Sequence, residues 1–202
     1  MSPLLRLEPP STCPPRRRRT DPTVQPDDFA LAAEPIDFLG VNVYSRVVVD
    51  AQNFNPYWWT TPEENRLPGG NYLANGQEFH PGAVSDAARL LRTEYGLTIP
   101  LYVTENGYAD RAETMVDGRV HDADRIAYLA GFLQEALRAA ADGVDIRGYY
   151  VWSLLDNYEW TAAYTARFGL IRVDTADMAR VWKDSASWFQ RLCATRTLTF
   201  EE

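Results

Sequence analysis

Hydrophobic and polar positions along this chain follow two periods that take turns. Residues 38–44 and 99–103 are short apolar runs bounded by turn or loop residues, and residues 149–154 form a third. Runs of this length, without helical spacing, read as strands. Between them the period becomes helical. A helix is predicted from about residue 85 to 95, with Gly96 as its stop. Another begins near an Asp122 cap, carries Ile126, Leu129, Leu133 and Leu137 on one face and ends at Gly143. A last helix is predicted over residues 185–192. Repeated strand–helix order predicts an α/β fold with a parallel sheet and right-handed crossovers. Leu39, Val41, Val103 and Val151 are expected on the inner face of that sheet.

The remaining segments lack either period. Residues 50–82 are rich in Pro, Asn, Gly and aromatics and read as a long loop. Residues 1–34 hold many of the prolines and the run Arg16 to Arg19, and are expected to be a disordered arm. The basic run precedes no apolar core segment, so it does not read as a secretory signal. One domain, residues 35–202, follows the arm.

Composition narrows the partners. The formal net charge of −8 and a sequence pI of about 4.8 argue against nucleic acid or an anionic membrane surface. No stretch of about 18 apolar residues is available to span a bilayer. Cys13 and Cys193 are far apart, which makes a disulfide framework improbable and a reducing cytoplasm the default expectation. His80 and His121 are the only histidines. They assemble neither a metal-ligand cluster nor a Ser-His-Asp arrangement, so no metal and no cofactor are expected.

Two segments carry candidate chemistry. IPLYVTENGYAD, residues 99–110, delivers Glu105 to the end of an apolar strand and turns at Asn106-Gly107. Catalytic side chains collect at the carboxyl ends of parallel strands, because loops vary there without disturbing the core. By itself the tetrapeptide TENG is also compatible with a polar residue closing a strand. GYYVWSLLDNYEWTAAYTARFGLIRVD, residues 148–174, places Trp152, Asp156, Asn157, Glu159, Trp160 and Tyr164 within one short stretch. Pyranose rings present polar edges and apolar faces, so carboxylates and amides beside an indole suit a sugar. Core filling by Trp152 and Trp160 is the alternative reading of the same composition.

Together these residues resemble glycoside hydrolase family 1, the β-glucosidase family. DFLGVNVYSR (residues 37–46) is similar to its sixth barrel strand, LYVTENGYAD to its seventh and GYYVWSLLDNYEW…RFGLIRVD to its eighth. VHDADRIAYL (residues 120–129) and WKDSASWFQRL (residues 182–192) are smaller echoes. The resemblance covers roughly residues 35–195 and corresponds to the last third of a family member. It implies a partial (β/α)8 TIM barrel, about the last three βα units, since a whole barrel needs about 250 residues. It also implies retaining hydrolysis of β-glycosides, in which one carboxylate attacks the anomeric carbon while a second protonates the leaving oxygen.

The resemblance assigns the roles residue by residue. Glu105 is the implied nucleophile, with Tyr44 as a hydroxyl donor to it; Asn42, two residues earlier on the same strand face, is expected to point the same way. Trp152 is expected to stack on the sugar, Glu159 to accept from its outer hydroxyls, Trp160 to offer an indole N–H and Phe168 to line the mouth. An acid at position 159 favours unphosphorylated sugar, because a carboxylate repels a phosphate dianion. The family's acid/base lies in an Asn-Glu-Pro motif, and no such tripeptide occurs here. The chain is therefore expected to be inactive alone and to need an amino-terminal barrel fragment as partner. The alternative is a non-catalytic truncated product with at most weak sugar binding. The chain departs from the family at Val43, where Tyr is usual, at Gln77, near the position of a usual Trp, and at Ala163, where Gly is usual and Ala is expected to strain a turn of positive φ.

Overall fold

Three parallel strands carry the fold in a computed structural model that describes residues 27–48, 66–73, 76–111 and 113–198. They are β1 (Leu39–Asn42), β2 (Leu101–Asn106) and β3 (Ile146–Val151), paired in the order β1-β2-β3. Helix α2 (Ala83–Thr93) lies between β1 and β2 in the chain, and α3 (Ala123–Ala141) between β2 and β3. This is the expected βαβαβ order. The chain then forms an antiparallel hairpin, β4 (Ile171–Val173) with β5 (Arg180–Trp182), and ends in α4 (Asp184–Thr195). Residues Asp37–Glu202 make one compact unit.

Burial explains which face of the sheet is covered. Leu101 and Val103 are 3% and 1% exposed, and Val41, Tyr149 and Val151 pack against the same core, which α3 supplies with Tyr128, Leu129, Phe132 and Ala136. The placement of Leu39, Val41, Val103 and Val151 on an inner face is therefore corrected. An aliphatic row is what a crossover helix needs for its own apolar stripe, so Val103 lies in the core with Val41 and Val151 packed against it, while Leu39 is half-buried. The other face shows Gly40, Tyr102, Thr104, Gly148 and Tyr150, with Thr104 and Tyr150 exposed. A side chain at Gly40 would meet Thr104, and one at Gly148 would meet Tyr102, so the glycines leave room for their neighbours to lie flat.

Several boundaries shift for local reasons. The third strand begins at Ile146, three residues before the expected start, and Leu154 is 64% exposed beyond its end. On α3 the buried stripe runs through Arg125, Tyr128, Leu129, Phe132, Ala136 and Ala139, whereas Leu137, expected on the apolar face, is 59% exposed. Gly96 and Gly143 do end their helices, with φ of +63° and +89°. Asp122 holds the expected N-cap position of α3, but its side chain makes no capping hydrogen bond there. Its Oδ1 accepts from the Ser185 N–H at 2.8 Å and its Oδ2 from Ser185 Oγ at 2.6 Å, so it serves the first turn of α4, where Lys183 has no short polar side chain to offer.

The expected arm, residues 1–34, lies outside the described residues up to residue 26. Its last part departs from disorder, since Asp28–Ala32 forms a five-residue helix, α1, with every side chain exposed. Most of the expected loop over residues 50–82 also lies outside the described residues. Cys193 is free and exposed. Among the described residues no helix is long and apolar enough to cross a membrane.

Among the described residues β1 and β3 each pair on one edge only, and Phe38 and Tyr150 are 53% and 56% exposed. Unpaired parallel edges beside aromatic surface favour association. The chain expressed alone is expected to self-associate and to bind a hydrophobic dye. A sharp two-state melt from a monomer by sedimentation would contradict this.

Candidate active site

The end of β2 is where the sheet loses its regular register. Val41 pairs with Val103 and Asn42 with Glu105, so Thr104 is the extra residue of a bulge. Past the end of β1, Tyr44 donates its hydroxyl to Glu105 Oε2 at 2.7 Å. Burial, reinforced by that bond and by the negative charge of Glu105, pushes the Tyr44 phenol far above its ordinary range, so it stays protonated as a donor. Val43 turns the other way into the core, at 7% exposed, as strand alternation requires.

Asn106 holds this corner from beneath. It is fully buried, donates to the Val43 carbonyl at 2.6 Å and accepts from the Tyr149 hydroxyl, while Tyr128 donates to the Tyr44 carbonyl. Asn42 sits differently from expectation. Its Oδ1 accepts from Thr104 Oγ1 at 2.8 Å, and it is not among the residues lining the pocket at Glu105. Thr104, the extra residue on the neighbouring strand, occupies the Asn42 side chain in place of Glu105.

The second wall is the stretch after β3. The Trp152 N–H donates to the Asn106 carbonyl at 2.8 Å, and a side chain at Gly107 would run into the Trp152 carbonyl, so only glycine permits this approach. The Trp152–Ser153 peptide is cis. Trp152 Nε1 donates to Glu159 Oε1 at 3.1 Å. Burial raises the Glu159 pKa, Glu105 raises it further, and the donors on Trp152 and Asn157 oppose the rise. Trp160 opens one turn of 3-10 helix, Trp160–Ala162, and is 78% exposed. Phe168 meets the Tyr44 ring edge-on at 6.0 Å.

A cavity of about 300 Å³ brings together Tyr44, Glu105, Trp152, Glu159, Trp160 and Phe168. Six of the seven candidates therefore line one space. Gln77 and Arg111 line it as well. Asp156, counted with the sugar-facing polar groups in sequence, points below the loop: it accepts from Lys183 Nζ at 3.0 Å, from Arg167 Nη1 at 2.9 Å and from the Gly169 N–H at 2.9 Å. Lys183 also pairs with Glu113, which takes Arg172 Nη1 at 2.9 Å. Arg125 donates from Nη1 to the Tyr108 carbonyl at 2.7 Å and from Nη2 to the Arg167 carbonyl at 3.1 Å. Sequence reasoning missed this layer; the two smaller echoes, around Asp122 and Ser185, were its signal. Among the described residues no group of three or more His, Cys, Asp or Glu is placed to hold a metal.

A carboxylate fixed by a phenol, next to an indole–carboxylate pair at the carboxyl ends of parallel strands, is a site suited to a sugar and to nucleophilic chemistry. The sequence model of glycosyl hydrolase family 1 matches residues 11–198, and the chain belongs to that family. It is 39% identical over 181 residues to a bifunctional beta-D-glucosidase/beta-D-fucosidase of Bifidobacterium breve, covering 83% of this chain and 39% of the relative. Beta-glucosidase A of Thermotoga maritima is 38% identical over 166 residues, 82% of this chain and 36% of the relative. Among solved structures, the beta-glucosidase of Exiguobacterium antarcticum B7 superposes with a TM-score of 0.74 at 38% identity, covering 85% of this chain and 37% of that one. The Thermotoga maritima beta-glucosidase in complex with glucoimidazole gives 0.73 at 35%, covering 85% and 38%. The chain thus spans little more than a third of the length of the relatives it matches.

Two consequences are measurable. Because Glu105 is one cause of the raised Glu159 pKa, Glu105→Gln should lower the Glu159 titration midpoint; carboxylate NMR against pH would show an unchanged or higher midpoint if the two do not interact. Ala163 holds φ +49° in the loop that its carbonyl closes onto the Glu159 N–H at 2.7 Å. Such a backbone costs a residue with a Cβ about 1–3 kcal/mol. Ala163→Gly should slow hydrogen exchange of residues 159–165, and faster exchange would contradict the strain.

Proposed function

We propose that this chain carries the nucleophile half of a retaining β-glycosidase site and acts on unphosphorylated β-glycosides once the rest of a barrel is supplied. The observation that carries the proposal is the single pocket in which Tyr44 donates to Glu105 while Trp152 donates to Glu159. Glu105 attacks the anomeric carbon from one side and forms the glycosyl-enzyme. Tyr44 stays protonated and holds the carboxylate in line. Trp152 offers an apolar face to the ring, Glu159 accepts from its outer hydroxyls, Trp160 adds an indole N–H and Phe168 bounds the mouth. Asn42 acts at one remove, through Thr104. The β-glucosidase relatives support this class of substrate.

The second carboxylate is assigned to an amino-terminal barrel fragment on another chain, which would also cover the open face bearing Tyr102 and Tyr150. The three parallel strands are read as the last three of a (β/α)8 barrel, consistent with the likeness to whole family-1 enzymes. General acid–base help is worth about 10²–10⁴-fold. The chain alone should therefore leave a nitrophenyl β-glucoside essentially intact.

The test is complementation. Mixed with an amino-terminal fragment of a family-1 enzyme, the chain should release nitrophenol, and Glu105→Gln should abolish that release while leaving assembly intact. Glu159→Gln should mainly weaken binding. A fluorinated sugar that traps the intermediate should label Glu105. Labelling at Glu159, or full activity in Glu105→Gln, would overturn the roles. Assembly without any turnover would favour the non-catalytic sugar-binding alternative.

A further inference from the structure

Five residues of the cavity lining, Glu159, Trp160, Ala162, Ala166 and Phe168, belong to one loop, residues 157–168. Its regular structure is the single 3-10 turn Trp160–Ala162, so its position is set where its ends meet. They meet on Asp156. The Asp156 N–H donates to the Ile171 carbonyl at 3.0 Å, and the Gly169 backbone passes so close that a side chain there would run into the Asp156 nitrogen. The Asp156 side chain, 4% exposed, then takes four donors. Oδ1 accepts from the Gly169 N–H at 2.9 Å and from Lys183 Nζ at 3.0 Å, Oδ2 from Arg167 Nη1 at 2.9 Å and from the Val173 N–H at 3.3 Å.

All four partners are donors, so the position requires a group that only accepts. A carboxylate supplies two such oxygens, whereas the amide of equal shape supplies one and turns hydrogens toward the other pair. Arg167 carries the tie across to the opposite wall. Its N–H donates to the Asp110 carbonyl at 2.9 Å and its carbonyl accepts from the Asp110 N–H at 3.1 Å, five residues past Glu105. Asp156 itself is not among the residues lining the cavity.

We propose that Asp156 is the positioning residue of the sugar site: by holding both ends of the loop on one side chain, it sets Glu159 and Trp160 against Glu105 before a ligand arrives. A loop of this length with untied ends samples many conformations, and binding would have to remove that freedom. Closure moves the ordering from binding to folding, which is what preorganisation means for affinity. The consequence for binding rests on the sugar reading given above; the closure of the loop does not.

The test is Asp156→Asn in the full chain, since its amide must face either Gly169 and Lys183 or Arg167 and Val173. Hydrogen exchange read by mass spectrometry should quicken about tenfold over residues 157–168 and keep the parent rate across β2 and α3. Phenyl β-glucoside, titrated by ligand-observed NMR, should bind about tenfold more weakly. Arg167→Met withdraws one donor from a partly exposed side chain and should give the same loop-confined change in smaller measure; it decides the matter where Asp156→Asn does not fold. Parent exchange rates in the loop, or a quickening that extends equally through β2 and α3, overturn the positioning role. So does a loosened loop that binds the glucoside like the parent chain. Failure of the parent chain to bind the glucoside rejects the sugar reading and the effect on binding with it, whereas the closure stands or falls on the exchange rates.

Discussion

The buried guanidinium of Arg125 is the constraint on which the pocket depends. It is 0% exposed, so every donor it carries into the interior must meet an acceptor. The acceptors are the Asp122 carboxylate at 2.8 Å and the carbonyls of Tyr108 and Arg167, with the Phe168 carbonyl at 3.5 Å. Tyr108 lies three residues past Glu105, whereas Arg167 and Phe168 close the aromatic loop that starts at Trp152. One side chain on α3 thereby fixes the separation of the two walls. Around it, Lys183, Glu113, Asp156, Arg167 and Arg172 alternate in sign. Leaving any buried member without its partner costs about 3–5 kcal/mol, so the arrangement tolerates little variation.

This layer does work that the sheet cannot. Beyond Asn106 and Val151 the strands no longer pair, and the chain enters loops. Loops with few buried apolar residues are held by hydrogen bonds or not at all. Burial opposes the charges themselves: it raises the Asp122 pKa and lowers that of Lys183, against the pull of their partners. The layer therefore contributes geometry more than stability. Asp122 shows the economy of the design, since the same carboxylate orients Arg125 and satisfies the first turn of α4.

The order of elements was legible in sequence because apolar runs and helical periods are local properties. So were the helix stops at Gly96 and Gly143, and the positive φ of Ala163. The residues of the pocket were legible through resemblance, and six of seven share one cavity. Asn42 is bonded to Thr104, the extra residue of a bulge on β2, and a bulge leaves no mark in the period of either strand. The start of β3 was missed because Ile146-Arg147-Gly148 reads as polar and turn-like; Arg147 is exposed and paired with Asp145. The β4–β5 hairpin had a signal in the alternation of Ile171 and Val173 before Asp174. The ion layer had none at the level of single residues. Asp122 and Ser185 are far apart in the chain, as are Glu113 and Lys183, and a charge predicts solvent until its partner is known.

Glu159 is where resemblance and electrostatics have to be reconciled. A carboxyl group with a raised pKa beside a nucleophile is the usual mark of an acid catalyst. Here the rise comes first from burial and is added to by Glu105, while the Trp152 indole N–H and Asn157 favour the ionised form. An indole donor suits a carboxylate that accepts from sugar hydroxyls, because it fixes one oxygen and leaves the other free for the ligand. The asymmetry separates recognition from proton transfer. The two walls meet through bonds the chain makes internally, Tyr44 to Glu105 on one side and Trp152 to Glu159 on the other, in one cavity.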